Sequence, residues 1–160
     1  MTNGTLTLFC GKMGTGKSTL AKKIARETGA VLISEDAWLA ALYPDQIGTV
    51  AEYVAHSNRL KPPVKTLVQS ILSTGADLVL DFPANTTGQR EWLRSISDEI
   101  GAAHVLHFID APDDVCLNNI KKRAAKHPDR QKTDTAEMFY ALKPYFSSPS
   151  VEEAMTVVRH

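Results

Sequence analysis

The sequence predicts an α/β domain built on a parallel sheet with helices on both faces. Three observations predict it. Strand-like and helix-like patterns alternate along the whole 160-residue chain. The strand-like runs are almost continuously apolar, as in strands buried on both faces. A glycine-rich turn joins the first strand to the first helix.

The first strand is TLTLFC, residues 5–10, a β-branched and apolar run. After the turn, Leu20, Ala21, Ile24, Ala25 and Thr28 share one helical face, and Gly29 supplies a stop. AVLISED, residues 30–36, reads as a second strand ending in acidic residues. A short helix over residues 37–44 is stopped by Pro44. Val50, Tyr53, Val54 and Ser57 mark another helix. Pro62-Pro63 interrupts it and opens the next, since proline is tolerated at a helix start. Val64, Leu67, Val68, Ile71 and Leu72 form that helix's face, with Gly75 after its end.

The third strand is ADLVLDF, residues 76–82, closed by Asp81. A helix over 89–100 turns Trp92, Leu93, Ile96 and Ile100 to one side. The fourth strand is HVLHFIDAP, residues 104–112. Asp110 is expected to cap the following helix, which Pro112 starts. Val115, Cys116, Ile120 and Ala124 make that helix's inner face. Residues 123–134 are basic and polar with Pro128 inside, and read as a mobile segment. Residues 137–145 are a last helix, and AMTVVRH at 154–160 a fifth strand.

The turn carries the first chemistry. Gly11-Lys12-Met13-Gly14-Thr15-Gly16-Lys17-Ser18 has the spacing G-x-x-x-x-G-K-[ST], with a strand before it and a helix after it. Gly11, Gly14 and Gly16 let successive backbone N–H groups point into one concavity, and the helix N-terminus adds partial positive charge. Lys17 can reach the outer phosphates of a nucleoside triphosphate, and the Ser18 hydroxyl can ligate Mg²⁺.

Composition narrows the rest. Apolar residues make up 43% and charged residues 22%, which suits a single domain with a real core. Lys+Arg and Asp+Glu both number 18, so the formal charge is zero and nucleic acid is not expected as a partner. The apolar runs are too short to span a bilayer, so no membrane is expected. The chain enters its first strand at once, which leaves no room for a signal peptide and makes the cytoplasm the expected compartment. Cys10 and Cys116 are expected as reduced core residues. His104 and His107, three apart on a strand, fall on opposite faces, and no Cys/His cluster occurs. The expected metal is Mg²⁺ arriving with the nucleotide.

In parallel sheets of this kind, ligands bind at the carboxyl ends of the strands. Asp36, Asp81 and Asp110 fall at or just past such ends. Asp36 is the candidate general base for an acceptor hydroxyl. Its competing role is to cap the helix that follows, and Glu35 is expected to face away.

The chain resembles the small P-loop kinases built like nucleoside monophosphate kinases. Its resemblance is greatest to the grouping of zeta-type toxins, chloramphenicol phosphotransferases and polynucleotide-kinase domains, which often carries the label of AAA-family ATPase. The likeness rests on residues 11–18, on ISEDAWL, on LVLDFPANTTGQREW and on HFIDAPDDVCLNNIKKR before a basic loop. It implies a five-stranded parallel sheet in a single domain over residues 1–160, with a lid over residues 123–135. It implies ATP held by Gly11, Met13, Gly14, Thr15, Gly16, Lys17, Ser18 and Thr19, with Mg²⁺ at Ser18 and Asp81. Asp36 would face the acceptor hydroxyl, Arg59 would touch acceptor or phosphate, and Arg123 and Arg130 would press on the transferring phosphoryl group. Adenine would rest near residues 147–150. One departure is that Asp81 is followed by Phe82, so the Asp-Glu pair of hydrolytic motors is missing.

The expected function is ATP-dependent phosphoryl transfer to a hydroxyl of a small molecule or nucleotide, by a monomer or weak homodimer. Trp38, Tyr43, Tyr53 and Arg59 are the candidate walls of the acceptor pocket. Three alternatives stay open: a nucleotide-dependent switch that hydrolyses slowly, a polynucleotide 5′-end kinase, and a toxin acting on a sugar nucleotide.

Overall fold

The central strand is the most apolar one. In a computed structural model that describes residues 2–131 and 133–160, β1 (Leu6–Cys10) is buried along its whole length. It pairs in parallel with β3 (Leu78–Pro83) on one side and β4 (His104–Phe108) on the other. β2 (Val31–Ser34) and β5 (Val157–Arg159) complete a five-stranded parallel sheet of order β2-β3-β1-β4-β5. Side chains alternate along β1, as the pleat requires. Leu6, Leu8 and Cys10 face the main core, with Leu60, Val64, Val68, Leu93 and Ile96; Phe9 faces Ala21, Ala25 and Val79.

The helices follow from these two faces. α1 (Lys17–Thr28) covers the Phe9 side and ends at Gly29, whose φ of 71° is one that L side chains rarely adopt. α3 (Val50–Ser73) and α4 (Thr87–Asp98) cover the other face. A capping box between Thr86 and Gln89 starts α4 earlier than the apolar pattern indicated. α5 (Asp113–Lys126) and α6 (Ala136–Leu142) pack Cys116, Ile120 and Phe139 together, with Met13 of the glycine-rich turn against them.

Three further boundaries differ from the sequence reading. Pro62-Pro63 does not divide two helices, because α3 is one helix of 24 residues. An interior proline costs about 3 kcal/mol. Leu60, Val64, Val68 and Leu72 are each at most 3% exposed, at about 1.5–3 kcal/mol per side chain, so their stripe outweighs that cost. Asn58 and Arg59, whose carbonyls lose their donors to the prolines, are exposed to water. Next, α2 (Glu35–Leu42) begins two residues before the expected Ala37, capped by the Ser34 hydroxyl, which accepts from the Ala37 N–H at 3.3 Å. Asp36 therefore lies in the first turn and is not the cap. Finally, Pro112 occupies the cap position of α5 and Asp113 and Asp114 fill its first turn, so Asp110 does not cap it. No helix among the described residues is long and apolar enough to cross a membrane.

Candidate active site

The glycine-rich turn sits at the carboxyl end of β1. A side chain at Gly11 would stand 2.6 Å from Thr15 Oγ1 and 2.9 Å from the Ile109 carbonyl, and the Gly11 N–H donates to Asn85 Oδ1 at 2.9 Å. Gly14 has φ 85°, and a Cβ there would be 2.5 Å from the Cys116 carbonyl. Asn119 Nδ2 donates to the Gly14 carbonyl at 2.9 Å, so α5 holds the loop from outside. Gly16, with φ 93°, occupies the cap position of α1 and offers no side chain to it. The first N–H groups of α1 thus lack a side-chain acceptor, which is the arrangement an anion satisfies. Thr15 Oγ1 is buried and has no hydrogen-bond partner.

Lys17 turns back over the loop, and its Nζ donates to the Gly11 carbonyl at 2.6 Å. Burial pushes Lys17 below the ordinary lysine value, while Asp81, Cys10, Asp36 and Glu35 pull it up. Lysine therefore stands in the field of three carboxylates at one end of the sheet. Asp81 lies opposite Ser34 in the β2–β3 register. Burial pushes its carboxyl up and Asp36 adds to this; the Ser18 hydroxyl and Lys17 hold it down. Ser18 and Asp81 together offer hard oxygen donors, the chemistry that suits Mg²⁺. The uncapped helix start, the unpartnered Thr15 hydroxyl, Lys17 and this oxygen pair fit a triphosphate with its metal. Among the described residues, no group of three or more His, Cys, Asp or Glu forms a metal cluster.

Glu35 and Asp36 divide differently from the sequence reading. Glu35 does not face away: it is 3% exposed, and its carboxylate accepts from Tyr53 Oη at 2.5 Å and Ser57 Oγ at 2.7 Å. Burial pushes Glu35 up, and the two hydroxyls work against that. These residues line a cavity of about 90 Å³ between α2, α3 and α4, with Lys61, Gln89 and Trp92 also on its wall. Of the expected acceptor residues, Tyr53 lines this cavity. Arg59 is exposed and is not on its wall, and Trp38 and Tyr43 pack against the core.

Asp36 is exposed and meets Arg130, whose Nη2 is 3.4 Å from Asp36 Oδ2. Arg123 and Arg130 converge on Asp134, which is 5% exposed. Arg123 binds both Asp134 oxygens, at 2.6 and 2.9 Å, and Arg130 Nε donates to Oδ2 at 2.9 Å. The structure brings Lys17, Ser18, Asp36, Asp81 and Arg130 to one sheet end and ties Arg123 to Arg130 through Asp134. The sequence reading did not single out Asp134.

Arg90 was also missed. It is 1% exposed and pairs with Glu153 at 2.6 Å. It donates to the carbonyls of Ala84 at 2.9 Å and Ser147 at 2.8 Å. It thereby fastens residues 147–153, the expected adenine side, to the ends of β3 and α4. Burial raises the Cys10 thiol beside it to about 11.

The strand order and the loop at the end of the central strand define a P-loop NTPase fold. The chain belongs to the AAA domain family, whose model matches residues 6–145. Among solved structures, APE1195 is similar over 100% of this chain and 87% of its own, with a TM-score of 0.67 and 18% identity. The Mycobacterium tuberculosis APS kinase CysC in complex with AMPPNP and APS is similar over 94% of this chain and 86% of its own, with a TM-score of 0.60 and 20% identity. A gluconokinase from Sinorhizobium meliloti is similar over 98% and 82%, with a TM-score of 0.60 and 16% identity. No curated protein matches the sequence.

Proposed function

We propose that the protein is an ATP-dependent phosphotransferase acting on a hydroxyl of a small molecule or nucleotide. The observation that carries this reading is the place of Asp36. It lies within the field of Lys17 and against Arg130, one residue along α2 from Glu35 of the cavity wall. A switch has no need for a carboxylate and an arginine facing each other beside an acceptor-sized cavity. The fold neighbours named as kinases support the same class.

In the proposed reaction the acceptor oxygen attacks the γ-phosphorus of ATP and gives up its proton to Asp36. The new O–P bond forms as the bond from the γ-phosphorus to the β,γ-bridging oxygen breaks, and ADP departs with that electron pair. The cradle N–H groups and Lys17 hold the phosphates. Ser18 and Asp81 would hold Mg²⁺, which when bound neutralises phosphate charge. Arg130 and Arg123, the lid residues within 123–135, stabilise charge on the group in flight. Transfer from labelled ATP into a panel of hydroxyl compounds, with phosphate release measured beside it, tests the reading. Label in an organic product supports it; label in inorganic phosphate alone favours a slow ATPase.

A further inference from the structure

The acceptor cavity has two chemically different ends. Tyr53, Ser57 and Lys61 follow one another at spacings of four on α3, so they stand in a row along one helix face. At the first end, Tyr53 and Ser57 both spend their protons on Glu35. Their oxygens and the remaining lone pairs of Glu35 can then only accept. That end takes ligand O–H or N–H donors.

At the other end stands Lys61, with its Nζ 5.5 Å from the centroid of the Trp92 ring. Among the described residues Lys61 forms no ion pair. Gln89 also lines the cavity. Its Oε1 already accepts from the Asn85 and Thr86 N–H groups at 2.8 and 3.1 Å, and among the described residues its NH₂ has no partner. Lys61 gives its end a positive charge and N–H donors. Its single ammonium is a point charge that can take one anionic group, and the small cavity leaves more room for a planar carboxylate than for a tetrahedral phosphate.

Resting on the phosphotransferase reading, we infer that the acceptor is a compact hydroxy acid, with its hydroxyl at the Glu35 end and its carboxylate at Lys61. The cavity of about 90 Å³ favours a short carbon chain. Phe82, Pro83 and Trp92 would cover its C–H faces.

The test is direct titration with a non-hydrolysable ATP analogue and Mg²⁺ present. The probes are glycerate and erythronate, the matching polyols glycerol and erythritol, and glycerol 3-phosphate. The acids should bind roughly tenfold or more tightly than their polyols, as a hydrogen bond to a charged group allows. Lys61→Met should abolish that preference, and Lys61→Arg should restore part of it, with ATP-analogue affinity unchanged in both. Acids binding no better than polyols, no detectable acid binding, or a preference that survives Lys61→Met would each overturn the inference. Tightest binding of glycerol 3-phosphate would overturn the carboxylate assignment. Transfer assays on the same compounds separate the two claims. Lys61-dependent acid binding without transfer removes the phosphotransferase reading and keeps the ligand class. Transfer to polyols alone does the reverse.

Discussion

Arg130 and Asp36 are 94 residues apart in sequence and form an ion pair at 3.4 Å. The contact joins the segment after α5 to the first turn of α2. Arg130 is held at the same time by Asp134, and so is Arg123. Loss of the common anchor should therefore disturb both arginines.

Asp134→Asn should act on the transition state. It keeps the shape of the side chain and removes the charge that aligns two guanidinium groups. The expected result is a fall in kcat of about a hundredfold, the scale for losing a preorganised transition-state donor, with a much smaller rise in the KM for ATP. Steady-state kinetics of Asp134→Asn beside Arg130→Met checks this. Equal, small effects on both parameters would leave these residues as a surface network.

Lys17→Ala should weaken ATP binding and abolish turnover in a folded protein. Among the described residues its ammonium bonds the Gly11 carbonyl of its own loop, and Lys17 belongs to none of the hydrophobic clusters, so the fold should survive its loss. Calorimetric titration with ATP, with a circular dichroism melt to show the fold, gives the answer. Unchanged ATP affinity would contradict the cradle assignment.

Glu153→Gln should destabilise the protein by about 3 kcal/mol, because it leaves the buried Arg90 cation without its counter-charge. The Arg90 hydrogen bond holds Glu153 below its ordinary value of 4.5. Its stabilisation is therefore full above 4.5 and lost as pH falls through the lowered value. Urea midpoints across that range should show an acid limb in the wild type that flattens in Glu153→Gln.

Glu35 should give the opposite slope. Burial raises it above 4.5, so the folded state holds that proton more tightly than the unfolded state. Its contribution is greatest below 4.5 and declines as pH rises through the raised value. Glu35→Gln should remove this decline. Tyr53→Phe, which deletes a hydrogen bond to the carboxylate, should steepen it and cost about 1.5–3 kcal/mol where Glu35 is ionised.

The cradle was legible because its signals are local. Eight consecutive residues carry the motif, and the flanking periodicities give strand and helix. The five strands were legible for a similar reason, since each lies within a short, largely apolar run. The Pro62-Pro63 boundary failed because burial of a stripe on both sides of the pair is a tertiary effect. Glu35 was misjudged because its partners, Tyr53 and Ser57, lie 18 and 22 residues away. The Tyr53–Ser57–Lys61 row was present in the sequence at helical spacing, but it read as an ordinary helix face. Arg90 gave no signal, since its contacts with Ser147 and Glu153 span 57 and 63 residues.

Asp36 as the general base is what would make this fold a transferase, and the transfer rate of Asp36→Asn to the acceptor found in the panel tests that role. Ser34 already caps α2, so the substitution leaves the helix start intact. A general base accounts for about 10²–10⁴-fold in rate. Asp36→Asn should lose that much in single-turnover transfer, with ATP affinity near that of the wild type. Wild-type transfer by Asp36→Asn would contradict it.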